Sequence, residues 1–249
     1  YRQFYPSDAK IVQVDRDPQA LGRRATLSLG IAADVGETLN ALLPRLTRKT
    51  DRRFLEDSLK AYGKARQGLD DLAEPSKGDR PIHPQYVTRL LSELATEDAI
   101  FTADVGSPTV WAARYLKMNG QRRFVGSLNH GSIANAMPHA MGAHAACPGR
   151  SVISLSAHGG VSMLMGDFIS LSQLKLPVKV VVFNNASLGF VAMEMKAAGY
   201  LDTGTDLHNP DFAAMSNAMG ILGIRVERSE DLEDALRRAL AHDGPVLVD

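Results

Sequence analysis

The stretch SLSAHGGVSMLMGDF, residues 154–168, decides the fold class of this 249-residue chain. Its first residues end an apolar run typical of a buried strand, two adjacent glycines follow, and the next residues predict a helix from about residue 161. Glycines after a strand allow backbone N–H groups to approach a phosphate closely, because no Cβ is in the way. The stretch therefore predicts a phosphate-binding turn at the carboxyl end of a strand.

A second turn of this kind, NNASLGF at residues 184–190, follows the apolar run 178–183. Asn185 offers a side-chain oxygen and Ser187 a backbone carbonyl, and a hard divalent cation that bridges a diphosphate binds such oxygen donors. On the residues alone, two ordinary glycine-bearing turns explain the pattern as well as a diphosphate and metal site does.

The pattern around the two turns is typical of a sheet buried on both faces. Continuous apolar runs alternate with helical spacing, which predicts an α/β fold with a parallel sheet flanked by helices. In such sheets ligands bind at the carboxyl ends of the strands, where both turns lie. The predicted strands are residues 99–103, 151–155, 178–183 and 245–248.

The domain organisation is predicted from breaks in this pattern. Residues 1–48 carry strand and helix signals that indicate the C-terminal part of a second α/β domain. Residues 49–80 are charged and helical in spacing until the proline-rich stretch 75–81, so we predict a connecting helix and a linker. Residues 81–249 form the main domain.

Composition excludes several classes of protein. The 28 basic and 28 acidic residues cancel, which argues against a dedicated nucleic-acid binder. The single cysteine, Cys147, cannot form an internal disulfide and fits a reducing cytosol. No apolar run approaches the roughly 18 residues that a membrane-spanning helix needs. We therefore expect a cytoplasmic protein.

Longer segments resemble one family of enzymes. A glycine-bearing turn, a strand and then the paired asparagines Asn184 and Asn185 follow the pattern of thiamine-diphosphate enzymes. Beyond that motif, nearly the whole chain resembles the bacterial pyruvate oxidase and pyruvate:quinone dehydrogenase family of flavoenzymes. The segments that carry this resemblance are residues 108–120, 129–132, 163–168, 176–179, 183–185 and 188–196.

The resemblance implies a thiamine-diphosphate-binding fold and an activity for the intact protein. Members of this family decarboxylate pyruvate oxidatively to acetate and CO2, using thiamine diphosphate, Mg2+ and FAD, and pass the electrons to a quinone. It also implies a homotetramer or homodimer, and contact with the inner face of the cell membrane through a C-terminal tail. We expect these 249 residues alone to be inactive, because the glutamate that activates the cofactor belongs to a further domain of a neighbouring subunit.

The resemblance also assigns roles to residues. Gly131, Ser132 and Ile133 would lie against the thiamine pyrimidine, with Ile133 holding the cofactor in a bent conformation; the alternative is a plain core isoleucine. Gly159 and Gly160 would give backbone donors to the diphosphate. The metal ligands would be His158, Asn185 and Ser187. The second turn would contribute the further cofactor contacts Ala186, Leu188, Gly189, Phe190 and Val191.

The resemblance also assigns roles to Phe190, in the second turn, and to two residues outside the turns, Glu194 and Asp15. Phe190 and Glu194 match a pair that lines the space between thiamine and flavin in this family, and both are candidate catalytic residues. Each has a plain alternative, since an aromatic at a helix start often packs and Glu194 could be a solvated charge. Asp15 would contact the adenosine side of FAD, and its alternative is an ordinary turn aspartate.

The chain departs from the family within the first turn. Position 158 is an aspartate that holds Mg2+ in the family, and here it is His158; Ala157 replaces a glycine and Val161 a frequent phenylalanine. Imidazole is a poor ligand for Mg2+ and a good one for Zn, Ni or Cu. Ala157 adds a Cβ where we expect a backbone that needs glycine. Three outcomes stay open: a softer metal at His158, weak or absent cofactor binding, or an active enzyme in which other groups compensate.

Two other functions also stay open. One is another thiamine-diphosphate enzyme, such as an acetolactate-synthase-like lyase, against which the residues 190–196 argue. The other is a non-catalytic remnant or assembly module, in which the fold survives and the metal site does not.

Overall fold

A computed structural model of the chain describes residues 4–78 and 80–249. The chain divides into two compact units, the first ending at Ala61 and the second running from Tyr62 to Asp249. Asp79, in the predicted linker, and the first three residues of the predicted N-terminal segment lie outside the described part. The domain bounds inferred from the sequence stay a prediction.

The first unit contains one pair of parallel strands, β1 (Val12–Asp15) and β2 (Leu29–Ala32), and the helix α1 (Val35–Leu42). The side chain of Asp34 caps α1 by accepting the N–H of Glu37, which satisfies one of the free donors of the first turn. The helix α2 (Arg53–Asp70) contains the division between the units. None of the described residues up to Ala61 is buried.

The second unit alternates helices and strands, as the sequence predicts for an α/β fold. In chain order its elements are α3 (Pro84–Leu94), β3 (Ile100–Ala103), α4 (Ser107–Tyr115), β4 (Arg123–Gly126), α5 (Ala136–Ala146), β5 (Val152–Ala157), α6 (His158–Met163), α7 (Phe168–Gln173), β6 (Lys179–Phe183), α8 (Gly189–Ala197), α9 (Phe212–Ala218), β7 (Leu222–Ile224), α10 (Ser229–Ala241) and β8 (Val246–Val248).

All six strands of the second unit form one parallel sheet in the order β4-β3-β5-β6-β8-β7. This confirms the predicted parallel sheet flanked by helices. The chain leaves β3 for β4 on one side and returns to β5 on the other, so the strand order reverses between β3 and β5. A crevice opens at such a reversal, outside the carboxyl ends of the strands, and is where open sheets bind ligands.

Helices cover both faces of the sheet because successive strand residues point to opposite sides. Phe101 packs with α3 and α10 on one face, whereas Ile100 next to it packs with α5, α7 and α9 on the other. Full burial of one such side chain contributes roughly 2 to 3 kcal/mol. These two cores fix the strands, and through them the loops at the carboxyl edge. Among the described helices, none is both long and apolar enough to cross a membrane.

The helix after β5 begins three residues earlier than the sequence predicts, at His158. Gly159 and Gly160 therefore lie in the first turn of α6 and not in the loop that precedes it. Neither has a positive φ. The prediction of a helix from about residue 161 is wrong, because both glycines belong to the helix, and Gly160 is required by its close contacts with Asp104 and Ala134.

Candidate functional site

A cleft of about 690 Å³ lies at the carboxyl edge of the sheet in the second unit. Residues at the carboxyl ends of five strands, β3, β5, β6, β7 and β8, contribute to it, because the loops that follow parallel strands lie at one edge of the sheet. Its lining includes residues of both predicted turns and of the loops and helices beside them: Val105, Trp111, Ile133, Ala157, His158, Gly159, Gly160, Asn185, Ser187, Leu188, Gly189, Phe190 and Val191.

The two predicted turns lie side by side in this cleft. β5 and β6 pair in register up to Ala157 and Phe183, so the turns leave the sheet from neighbouring positions. A Cβ placed on Gly159 would be 3.7 Å from Cδ2 of Leu188, which shows how closely the turns approach each other. The geometry that a shared diphosphate would need is therefore present.

His158 is buried at the start of α6, with only 4% of its surface exposed. Its Nδ1 is 3.1 Å from the carbonyl oxygen of Phe183 at the end of β6. Because a carbonyl only accepts, Nδ1 carries the proton and donates it. Nε2 is buried and has no hydrogen-bond partner among the described residues.

Ala157 adopts an ordinary extended backbone, with φ −84° and ψ 146°. The expectation that this position needs glycine is wrong, since any residue adopts that conformation. The requirement falls on Gly160 instead. A Cβ there would collide with Oδ2 of Asp104 and lie 2.9 Å from the backbone nitrogen of Ala134.

Asp104 is a site residue that the sequence analysis missed. It follows β3, is 1% exposed, and binds two loops: Oδ1 accepts the N–H of Ala136 at 2.9 Å and Oδ2 accepts that of Ala157 at 3.0 Å. Burial raises the pKa of its carboxyl group, and the N–H donors act in the opposite direction. A carboxylate directly after a mostly apolar strand, IFTA at residues 100–103, was the signal that could have identified it.

The second turn is held by its own hydrogen bonds. Oδ1 of Asn185 accepts the N–H of Ser187 at 3.2 Å, and the carbonyl of Ser187 accepts the N–H of Gly189 at 2.7 Å. Each of these oxygens keeps a second lone pair. Ala186 between them has a left-handed φ of 52°, a strained conformation that is concentrated at functional sites.

The helix α8 begins directly after this turn. Gly189, Phe190 and Val191 line the cleft, and the first N–H groups of a helix have no partner inside the helix. The N–H of Gly189 already donates to Ser187, so the N–H groups of Phe190 and Val191, together with the helix dipole, are the donors that suit an anion such as a diphosphate. Ala186 is the one residue of the predicted run 185–191 that is not in the lining.

The remaining predicted residues have different positions. Ile133 lines the cleft and is 42% exposed, so it is not a core isoleucine. Gly131 and Ser132 belong to the same loop but not to the lining. Glu194, one helical turn after Phe190, is exposed and also lies outside the lining. Asp15 belongs to the first unit, where its carboxylate accepts the N–H of Asp17.

The described residues do not fit Mg2+ well. No cluster of three or more His, Cys, Asp or Glu residues among them could hold a metal ion. At the buried position of the first turn, the group presented is an imidazole nitrogen, whereas Mg2+ prefers carboxylate and water oxygens. The cleft thus fits a diphosphate better than it fits the hard cation that usually accompanies one.

Comparisons with known proteins agree with this geometry. The family described as "Thiamine pyrophosphate enzyme, C-terminal TPP binding domain" matches residues 104–249. The thiamine pyrophosphate-containing protein YdaP of Bacillus subtilis is 35% identical over all of this chain and 43% of its own length. Its name specifies the cofactor but no reaction.

Two further relatives have names that specify a reaction. The acetolactate synthase of Mycobacterium bovis is 30% identical over 98% of this chain and 41% of its own length. The pyruvate oxidase of Lactiplantibacillus plantarum is 30% identical over 96% of this chain and 40% of its own length. The chain thus spans about two fifths of the length of the curated relatives it matches.

Proposed function

The chain belongs to the thiamine pyrophosphate enzymes, and from that premise we propose that it is the cofactor-binding part of a flavoenzyme that oxidatively decarboxylates pyruvate to acetate and CO2. The observation that carries the proposal is the shared cleft of the two turns, whose lining includes Phe190, the second residue of α8. The similarity to a pyruvate oxidase over nearly all of this chain supports it.

In this proposal the residues of the cleft bind and orient the cofactor. The N–H groups at the start of α8 bind the diphosphate, and Ile133 offers an apolar surface to the rings. When bound, thiamine diphosphate supplies the electron sink for decarboxylation. Phe190 and Glu194 lie on one face of α8, four residues apart, where they would border the substrate or flavin.

Further parts of the proposal rest on the resemblance of the sequence to the oxidase family. They are FAD as the electron carrier, with Asp15 as a contact, and a quinone as the acceptor. They also include a homotetrameric or homodimeric assembly, and a cytoplasmic location with peripheral contact to the cell membrane. Activity would then need the rest of the protein, so that the 249 residues alone would bind the cofactor without turning over pyruvate.

A second candidate is an acetolactate synthase, and the identity of 30% over 98% of the chain favours it as strongly. The two candidates share pyruvate decarboxylation and differ in the fate of the product. The oxidase would form acetate and reduce an acceptor, whereas the synthase would join the product to a second pyruvate without net oxidation.

One experiment separates these functions. The full-length protein is incubated with pyruvate, thiamine diphosphate, a divalent metal and an electron-accepting dye, and CO2, acetate, acetolactate and dye reduction are measured. We expect CO2, acetate and reduced dye in equal amounts. Acetolactate without dye reduction would replace the oxidase by the synthase. If no CO2 forms with any of the metals tried, both enzymatic functions are excluded and the non-catalytic module remains.

A further inference from the structure

We infer that the cation of this cleft is a transition-type divalent ion such as Zn2+ or Co2+, bound through Nε2 of His158 in place of Mg2+. The inference depends on the proposed function only in taking a diphosphate as the co-ligand. Its basis is a buried nitrogen, on a residue of the cleft lining, that has no hydrogen-bond partner among the described residues.

The protonation of the imidazole is fixed by the sheet. Nδ1 must donate to the carbonyl of Phe183, 3.1 Å away, so a neutral His158 presents an unprotonated Nε2. A histidine that donates one ring nitrogen to a backbone carbonyl and offers the other is the usual arrangement of a metal-ligating histidine, because the hydrogen bond orients the ring.

Burial makes the free lone pair significant. A buried acceptor without a partner is unusual in a folded protein, and most such groups have a ligand, an ordered water or a functional role. Only 4% of the surface of His158 is exposed, yet the residue belongs to the lining of the cleft. Nε2 is thus shielded from bulk water, and a small cation bound to it would lie at the wall of the cleft.

The neighbouring donors select the coordination. The register of β5 with β6 places the Asn185 turn beside His158, and there the side-chain oxygen of Asn185 and the carbonyl of Ser187 each retain a lone pair. One imidazole nitrogen with neutral oxygens suits Zn2+, Co2+ or Ni2+, whereas Mg2+ demands oxygens throughout.

The same donor set implies that metal and diphosphate bind together. Since no cluster of three His, Cys, Asp or Glu residues exists in the described chain, the protein alone offers too few charged ligands to hold a metal tightly. The phosphate oxygens would complete the coordination and supply the negative charge that His158 lacks. Each ligand must then increase the affinity for the other by the same factor.

The experiment compares metals in the chain and in its His158→Asp variant, after treatment with EDTA. Thiamine diphosphate is titrated in the presence of Mg2+, of Zn2+ or of EDTA, and binding is followed by the fluorescence of Trp111, the single tryptophan, which lines the cleft. We expect the Kd of the wild-type chain to be lower with Zn2+ than with Mg2+ by about tenfold or more, and the variant to reverse that order.

The matched control is His208→Asn, because His208 is exposed and outside the cleft lining. It should keep the preference of the wild-type chain for Zn2+. Equal Kd values with Zn2+, Mg2+ and EDTA, or a His158→Asp variant that still prefers Zn2+, would overturn the inference. If the variant does not fold, the wild-type comparison of Zn2+ with Mg2+ decides alone.

A second readout separates this inference from the proposed function. Co2+ is added with inorganic pyrophosphate, and its visible absorption is recorded in the wild-type chain and in His158→Asp. A spectrum that depends on both His158 and pyrophosphate supports the metal site even if thiamine diphosphate never binds, a result that would contradict the proposed function alone. A Co2+ spectrum identical in the two proteins overturns the metal site.

Discussion

Gly160 shows how one missing Cβ holds the cleft together. Asp104 and the loop at Ala134 both approach its Cα so closely that a methyl group would overlap them. The contact joins the carboxyl ends of β3 and β5, where the strand order reverses. Asp104 adds two hydrogen bonds to the same junction, one to each of two loops.

The first prediction compares Gly160→Ala with Gly159→Ala. The Cβ at position 160 would collide with a buried carboxylate and a backbone nitrogen, so we expect a loss of roughly 1 to 3 kcal/mol in the free energy of unfolding and weaker thiamine diphosphate binding. At position 159 the Cβ would meet only Leu188 at 3.7 Å, an ordinary contact, and the loss should be under about 1 kcal/mol. Urea denaturation of both variants measures the difference, and equal losses would contradict this account of the junction.

The second prediction concerns Asp104→Asn. The amide keeps one acceptor oxygen but turns an NH2 group toward a backbone N–H, so we expect a destabilisation of roughly 1 to 3 kcal/mol near pH 7. Asp167→Asn, at an exposed carboxylate, is the control and should change stability little.

The pH dependence of Asp104 provides an independent check. Burial raises its pKa in the folded chain above the ordinary value of 3.8 for an aspartate. The stability gained from protonation is therefore fully present below pH 3.8 and is lost as the pH rises through the raised pKa. The difference in unfolding free energy between the wild-type chain and Asp104→Asn should therefore change between pH 3.8 and the raised pKa of Asp104. A difference that stays constant from pH 3 to pH 7 would contradict the assigned shift.

At the level of elements, the sequence predicts the central strands well and the edge strands poorly. β3, β5, β6 and β8 are mostly apolar, because helices cover both of their faces; their polar residues are Thr102, Ser154, Ser156 and Lys179. β4, with the sequence RFVG, and β7, with LGI, each contain a glycine and only two apolar residues. They pair on one side only, at the two edges of the sheet, so their sequences are less constrained.

The site was predictable in its position and less so in its detail. Strand ends and glycine pairs identify the two turns because they are local features of the sequence. The free Nε2 of His158 depends on a hydrogen bond from Nδ1 to Phe183, on the neighbouring strand. The role of Asp104 depends on distant loops, since Ala136 lies 32 positions further along the chain. Contacts of this kind exist only after the strand order is set, which the sequence pattern does not specify.

The third prediction tests how β6 is tied to the loop before β8. Lys179 at the start of β6 is buried, and its Nζ donates to the carbonyls of His242 and Gly244. Burial lowers its pKa from 10.5 to about 8. Between these values the unfolded chain binds more protons than the folded one, so stability should rise with pH over that interval, by up to about 3 kcal/mol.

Lys179→Met isolates this contribution. The variant should lose the rise between pH 8 and 10.5, and near pH 7 it leaves two carbonyls without their donor. Lys64→Met, at an exposed lysine of α2, should keep the pH profile of the wild-type chain. Denaturation curves at half-unit pH steps measure all three proteins. Parallel profiles for the wild-type chain and Lys179→Met would show that the buried ammonium does not control the rise.

On the scale of the whole chain, the two units differ in how much they bury. The second unit has two cores, whereas none of the described residues of the first unit is buried and its α1 exposes Leu39 and Leu42. Hydrophobic burial is the main favourable term in folding, so the two units should differ in the free energy of local opening.

The fourth prediction follows from that difference. Both β1–β2 and β3–β4 are parallel pairs of four residues each, so strand length does not distinguish them, although β3 also pairs with β5 on its other side. Burial differs as well, since β3 is buried at all four positions and β2 is exposed at three of its four. In native-state hydrogen exchange of the chain, the amides of β1 and β2 should exchange through low-energy local opening, at least about a hundredfold faster than those of β3. Adding denaturant should accelerate exchange in β3 and leave exchange in β1 and β2 nearly unchanged, because global unfolding limits only the former. Equal protection of the two pairs, with the same dependence on denaturant, would mean that the chain unfolds as one cooperative body in which the first unit draws its stability from more than its own contacts.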